Sequence, residues 1–476
     1  MKIMMALLLA ACCAGVAAGR PNFLFIYTDD QRWDAMSCVQ KEQGERARFP
    51  WFQTPNMDRI AAEGVRFRNA FVVNSLCAPS RASFLTGCYG HRNGIVNNHT
   101  PFPENNVTHA TLLRAAGYTT GYIGKWHMGR QSGQRPGFDY SASFIGQGKY
   151  FDCPFEINGV SKPTTGWIDD VSTDFAIDFI RANKNKPFSL AIGYKATHGP
   201  WDPPPRAKDR YSNVAARPVP NLTSPAIYKT DLTLKHPGVV GDTDKIRNYF
   251  RCVSAADDNV GRLLALLDEL KLADNTIVIF ASDNGYYLGE HGLGDKRSAY
   301  DESLRIAMLL RYPKLAGKGR LIDQMALNID LAPTLLDFAG VAVPKEMHGR
   351  SWKPLLVGAT HASPLQSHDT DWRRAFFYCY FYERGFNTPL VTAVRTDTAK
   401  LIKYPGHDEW TELFDLKADP YELKNLARDA AHKELLAQMQ AEYDRQAKLI
   451  AFQVPSFADQ PGADAPAKKA KKKGKK

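Results

Sequence analysis

Side chains able to ligate metal or move protons stand at the ends of apolar runs along this chain. Asp29 and Asp30 follow one run, Lys125 and His127 a second, His198 a third, and Asp283 and Asn284 a fourth. Any one of these has an ordinary explanation: a carboxylate pair caps a helix or closes a turn, and a lone histidine or lysine is a hydrogen-bonded core group or a surface charge. Taken together, three carboxylates and one amide oxygen form a hard, oxygen-rich set suited to Ca²⁺, with Mg²⁺ as the lesser alternative. Imidazole and thiol ligands for zinc are not grouped with them. Cys77 precedes Pro79-Ser80-Arg81, where a helix is predicted over 79–86. In isolation it would be a small buried hydrophobe or a thiolate favoured by a helix N-terminus.

These residues converge only if the runs before them are strands of one sheet. Asn22 to Thr28, Tyr118 to Gly124, Phe188 to Tyr194 and Thr276 to Ala281 are rich in β-branched and aromatic residues without strict alternation, the pattern of strands buried on both faces. Helical periods lie between them. One is entered at Thr54-Pro55 and ended by Gly64; others run near Asp169 to Ala182 and Asp244 to Leu272, with Phe250, Val253, Val260, Leu263, Leu264 and Leu267 as core positions. The fold class is therefore α/β: a large, mainly parallel or mixed sheet sandwiched by helices. In such sheets ligands bind at the carboxyl ends of the strands, where the polar residues above would meet. After about residue 360, short runs at 376–382, 390–396, 400–404 and 412–416, with a helix near 430–449, predict a smaller α+β domain carrying an antiparallel sheet.

The segment Cys77-x-Pro79-Ser80-Arg81-Ala82-Ser83-x-Leu85-Thr86-Gly87 resembles the signature of the sulfatase family, formylglycine-dependent enzymes of the alkaline-phosphatase-like superfamily. The resemblance continues through Thr28-Asp29-Asp30-Gln31, Gly124-Lys125-Trp126-His127, Thr197-His198-Gly199-Pro200, Ser282-Asp283-Asn284-Gly285, Leu288-Gly289-Glu290-His291-Gly292, Gly294-Asp295-Lys296 and Glu412-Leu413-Phe414-Asp415-Leu416, nearly the whole chain. Met128 departs from the leucine common after the histidine. The resemblance implies that Cys77 is oxidised to formylglycine by a formylglycine-generating or anaerobic maturation enzyme. It implies that Asp29, Asp30, Asp283, Asn284 and modified Cys77 hold Ca²⁺, and that Lys125, Lys296 and the metal clamp the sulfate. Arg81 would orient the formylglycine diol, His198 protonate the leaving oxygen with Lys296 beside it, and His127 act as base when a covalent sulfo-enzyme releases sulfate. His291 is divided between a structural role and substrate contact.

The implied activity is removal of sulfate from a sulfated carbohydrate, with 6-sulfated N-acetylglucosamine or related glycosaminoglycan and marine-polysaccharide sugars as candidate substrates. The rival activities are phosphoester or phosphonate hydrolysis on the same superfamily scaffold, and sulfated-glycan binding without turnover. Specificity is expected from the loops at 33–52 and 129–166, with Trp201-Asp202-Pro203-Pro204 beside them.

Composition bounds the rest. With 476 residues, 44% hydrophobic and 11% aromatic, the chain is globular, and two domains are expected, over 20–359 and 360–457. Residues 1–19 resemble an export signal with Lys2, an apolar stretch and a small-residue cleavage site, so the protein is expected to be periplasmic or secreted. Leu9-Ala10-Ala11-Cys12 also fits a lipobox that would anchor Cys12 to lipid. No later run is long enough to span a membrane. The net charge of +11 is inflated by seven lysines in 468–476, a tail at 458–476 expected to be disordered; without them the excess is +4. Nothing in the body resembles a nucleic-acid module. Eight cysteines, two of them in the signal, do not form a disulfide framework, although a single bridge is compatible with export.

Overall fold

The computed structural model of the chain describes residues 19–229, 243–315, 318–357 and 372–460. The export signal with Cys12, the lysine tail and the predicted domain boundary near 360 lie outside these residues. Ten strands form one mixed sheet in the spatial order Arg320–Ile322, Val65–Phe67, Met308–Arg311, Thr276–Ser282, Asn22–Thr28, Phe188–Gly193, Thr119–Lys125, Tyr140–Phe144, Phe155–Ile157 and Val160–Lys162. The centre of the sheet, from Thr276–Ser282 to Tyr140–Phe144, is parallel.

The lack of alternation within the central strands follows from burial on both faces. Along Asn22–Thr28, Leu24 and Ile26 point to one side, where helices Pro55–Glu63, Ile168–Asn183 and Thr243–Glu269 pack. Phe23, Phe25 and Tyr27 point to the other, against helices Cys77–Thr86, His109–Ala115 and Leu331–Ala339. All six apolar positions expected in the long helix Thr243–Glu269 are buried.

The register sets the level of the strand ends. Thr28 pairs with Ser282, Tyr27 with Gly193, and Gly193 with Gly124, so the residues that follow emerge side by side. Lys125 is the last residue of its strand, which ends one position later than the sequence pattern implied. The helix expected from Pro79 begins at Cys77, with Leu76 extended as its cap. Proline in the first turn gives up no helical hydrogen bond, because its N–H would have had no partner there.

The carboxyl-terminal strands Ala375–Tyr380, Val391–Thr396, Ala399–Lys403 and Glu412–Asp415 form the expected antiparallel sheet, covered by helix Lys433–Leu449. Phe376 to Phe381 share a core with Phe71, Val73, Leu76, Tyr287 and Tyr300 of the large domain. That shared core explains the unbroken apolar run of the first strand: its second face is buried against the part of the chain that carries the large sheet, not solvated. The six described cysteines form no disulfide. No helix among the described residues is long and apolar enough to cross a membrane.

Candidate active site

At the carboxyl end of the sheet, Asp29, Asp30 and Asp283 each bring a carboxylate oxygen within 4.8 Å of the others, all fully buried. Backbone pairing holds them there: Asp29 N–H donates to Ala196 O at 2.8 Å and Asp283 N–H to Thr28 O at 3.0 Å. Asp30 adopts a left-handed backbone with φ 61°, and its N–H donates to Asp283 Oδ1 at 3.1 Å. Asn284 donates from Nδ2 to Asp30 Oδ1 at 2.6 Å, while its Oδ1 is buried without a hydrogen-bond partner among the described residues.

Buried carboxylates need compensating charge. Arg81 donates from Nε to Asp283 Oδ2 at 2.8 Å, Lys125 Nζ donates to Asp29 Oδ2, and Lys296 Nζ lies 2.7 Å from both oxygens of Asp30. Three cations thus balance three carboxylates in a dry site. The orphaned Asn284 oxygen beside three carboxylates fits a hard divalent cation of the calcium type, although Cys77 and His198 also group with Asp29, which corrects the expectation that thiol and imidazole stand apart from the carboxylates. Burial lifts the Asp30 carboxyl, with Asp283 adding to it, although Lys296 beside it pulls the other way.

Cys77 Sγ sits 3.4 Å from Asp29 Oδ1 in the first turn of its helix. Burial, with Asp283 and Asp30 adding to it against Lys296, pushes its thiol up to about 12. Of the two readings open to an isolated Cys77, the structure favours the buried thiol: desolvation and the neighbouring carboxylates outweigh the helix terminus, and the unmodified thiol stays protonated at neutral pH. His198, with a fifth of its ring exposed, comes within 4.8 Å of Cys77 and Asp29 by its ligating nitrogen, and its Nδ1 lies 2.7 Å from Gly199 O. His127 is buried with φ 51° and leaves Nδ1 without a hydrogen-bond partner among the described residues. Burial, then Lys125 and Lys296 with other nearby cations, lowers both imidazoles well below their usual range, so both are neutral at pH 7.

These residues open into a cleft of about 860 Å³ lined by Asp30, His127, His198 and Lys296. Cys77, Arg81, Lys125, Asp29, Asp283 and Asn284 lie beneath its floor, fully buried. His291 is not brought there. Its ring stacks on Tyr300 with centroids 3.9 Å apart, Nε2 lies 3.2 Å from Asn221 Nδ2, and the turn from Gly289 to Leu293 directs it toward the carboxyl-terminal domain. Burial takes it down to about 4. Its structural alternative is the one the geometry supports.

Of the loops expected to line the cleft, Gly129, Arg130, Gly146 and Gln147 do so, whereas 33–52 does not. Trp201 packs edge-on against Tyr286, which does line it. The sequence pattern missed Asn98, Tyr286, Arg297 and Glu383 as cleft residues. Arg297 had a signal, its adjacency to Lys296; Glu383 had none, since it arrives from the other domain.

An α/β sheet with a buried carboxylate cluster, two buried lysines and a cleft histidine at its carboxyl edge is the arrangement expected of a hydrolase of anionic esters. Residues 21–341 match the family described as Sulfatase, and residues 289–448 match that described as N-sulphoglucosamine sulphohydrolase, C-terminal. The chain belongs to the sulfatase family. It is 35% identical to an N-acetylglucosamine-6-O-sulfatase of Bacteroides thetaiotaomicron, covering 90% of this chain and 87% of the relative. A human N-acetylglucosamine-6-sulfatase is 28% identical, over 91% of this chain and 86% of that one. A solved structure of a protein in complex with its substrate D-glucosamine-2-N,6-O-disulfate superposes with a TM-score of 0.81 at 33% identity, covering 91% of this chain and 98% of that one.

Proposed function

We propose that this sulfatase removes the 6-O-sulfate of N-acetylglucosamine or glucosamine units in sulfated glycans, as an exported enzyme whose Cys77 is matured to formylglycine by a partner enzyme. The observation that carries the reading is the placement of Cys77 over Asp29, with Lys125, Lys296 and His198 around it, beneath a cleft large enough for a sugar. The names of the two similar sulfatases and of the disulfated sugar bound by the structural neighbour support the choice of substrate.

Asp29, Asp30, Asp283 and Asn284 would hold Ca²⁺, and the oxidised Cys77 would complete the set. When bound, the metal and the hydrated aldehyde supply a nucleophilic hydroxyl at neutral pH and positive charge on the sulfate. Arg81, tied to Asp283 and to the Lys125 carbonyl, fixes the floor on which Cys77 rests. Lys125 and Lys296 neutralise the sulfate oxygens, which lets an anionic ester approach. His198, neutral in the empty site and partly open to the cleft, would take up a proton as the anionic ester binds beside it and then give that proton to the departing sugar oxygen. His127, neutral with a free Nδ1, accepts one when the second hydroxyl collapses and sulfate leaves.

The assignment of His198 carries its own expected result. His198→Ala should lower kcat/KM for a sugar sulfate by about 10²- to 10⁴-fold, the usual worth of a general acid. The loss with 4-nitrophenyl sulfate should be under about tenfold, since a nitrophenolate departs without a proton. Equal losses on the two esters would assign His198 to binding instead. The function itself is tested with matured enzyme on N-acetylglucosamine-6-sulfate and the matching 6-phosphate. Sulfate release faster by about 10³-fold or more, roughly 4 kcal/mol of discrimination, is expected. Preference for the phosphate would transfer the chain to phosphoester chemistry, and tight sugar binding without turnover would make it a binding protein.

A further inference from the structure

Glu383 follows the first strand of the carboxyl-terminal sheet and is completely buried, although its segment lines the cleft. A carboxylate removed from water must be compensated, and its partners are informative. Oε2 accepts from Arg297 Nε at 3.0 Å and Nη2 at 2.6 Å, and Arg297 adjoins the sulfate-clamp candidate Lys296. Arg297 is further held by Asp295, at 2.9 Å to each oxygen, and by Phe386, whose ring centre lies 3.4 Å from the guanidinium carbon.

Oε1 faces the other side of the cleft, where it accepts the Asn98 backbone N–H at 3.0 Å. Asn98 Oδ1 in turn accepts the N–H of Ala78 at 3.0 Å. Ala78 follows Cys77, and its N–H is one of the first-turn donors that a helix leaves unsatisfied. Leu76, at the cap position of that helix, provides no side-chain hydrogen bond, so Asn98 caps it from outside.

We propose that Glu383 is a positioning residue for the sulfatase reaction, joining the Lys296-Arg297 segment to the start of the Cys77 helix through Asn98. The carboxyl-terminal domain thereby sets the distance between the sulfate clamp and the nucleophile, and the cleft is complete only with that domain docked. The proposal rests on the sulfatase reading above.

Two variants separate the two arms. In Glu383→Gln, the amide oxygen still accepts from Asn98 while its NH₂ opposes Arg297, so only the arm to the Lys296-Arg297 segment is loosened. KM should rise about tenfold with kcat within about threefold, for a sulfated sugar and for 4-nitrophenyl sulfate alike, because both esters present their sulfate to Lys296. Glu383→Ala breaks both arms and should also lower kcat about tenfold on both esters. Asn98→Ala should reproduce that kcat loss with KM unmoved, and the double variant Glu383→Ala/Asn98→Ala should lose no more kcat than Glu383→Ala, because one chain of contacts has been cut twice. Thermal unfolding and the mass of the Cys77 peptide are measured in every variant, so that losses are counted per folded, matured enzyme. A KM rise on the sugar ester alone in Glu383→Gln, no kinetic change in that variant, or multiplying kcat losses for Glu383→Ala and Asn98→Ala would overturn the proposal and leave Glu383 without a part in placing the sulfate clamp. Absence of sulfate release by the wild-type enzyme, with Cys77 matured, would instead sink the sulfatase reading.

Discussion

Cys77→Ala should reduce sulfate release to background, a loss of about 10⁶-fold on the scale of removing an enzyme's nucleophile. The structure makes this a sharper expectation than cysteine chemistry alone would. A thiol pushed up to about 12 by burial and by Asp283 and Asp30 is almost wholly protonated at neutral pH, and a thiolate formed there would face Asp29 Oδ1 at 3.4 Å. The position is hostile to an anionic sulfur nucleophile and suited to a neutral oxygen hydrate that gains charge only in the reaction. Cys77→Ser tests this difference. Serine keeps an oxygen in place but cannot expel sulfate by returning to an aldehyde, so at most a single turnover is expected from protein that has not been converted. Mass analysis of the tryptic peptide spanning Asn69 to Arg81 reports the conversion directly: sulfur is lost and oxygen gained. Full sulfatase activity from protein whose Cys77 is unmodified would end the formylglycine mechanism.

The parts of this site that were legible in sequence are those that local patterning and sheet register determine together. Asp29-Asp30, Lys125, His198 and Asp283-Asn284 each end or follow a strand recognisable by its apolar run, and the pairing of Thr28 with Ser282 and of Gly193 with Gly124 brings them to one level. Side-chain orientation was not legible. His291 lies only five residues before Lys296, yet a turn with φ 53° at His291 sends its ring under Tyr300 instead of into the cleft. Backbone that departs from regular periodicity carries no repeat from which direction can be read. Contacts between the parts of the chain that carry the two sheets were likewise invisible, because Glu383 meets Asn98 at a sequence separation of 285 and no local preference marks it. The short strands Val65–Phe67, Tyr140–Phe144 and Met308–Arg311, which widen the sheet, are too brief for a distinguishable period, and the centre of the sheet positions the chemistry without them.

Removing divalent metal should lower kcat/KM by about 10³-fold or more, and Ca²⁺ should restore it better than Mg²⁺. The reason lies in what the lysines are bound to. In the absence of a cation Lys125 and Lys296 are spent on Asp29 and Asp30, and Arg81 on Asp283. A divalent ion held by these carboxylates and Asn284 Oδ1 relieves both lysines of that pairing and leaves them to face the sulfate. Metal removal should therefore weaken binding of inorganic sulfate as well as turnover. That can be read by calorimetry in the inactive Cys77→Ala protein, where no catalysis confuses the result. In the same protein, Ca²⁺ at 100 times its dissociation constant should stabilise the fold by about 2.7 kcal/mol, visible as a rise in Tm. Asn284→Ala, which deletes an oxygen without a hydrogen-bond partner among the described residues and leaves all three carboxylates, should weaken Ca²⁺ without disturbing the Arg81–Asp283 pair. Asp30→Asn should do the same while also releasing Lys296. The preference for Ca²⁺ follows from ligands carried by separate strand ends, whose spacing suits longer, more variable oxygen contacts than the tight octahedron of Mg²⁺. If sulfate binds the metal-free protein as tightly as the loaded one, the lysines are not held back by the carboxylates, and the coupling between cation site and sulfate clamp is absent.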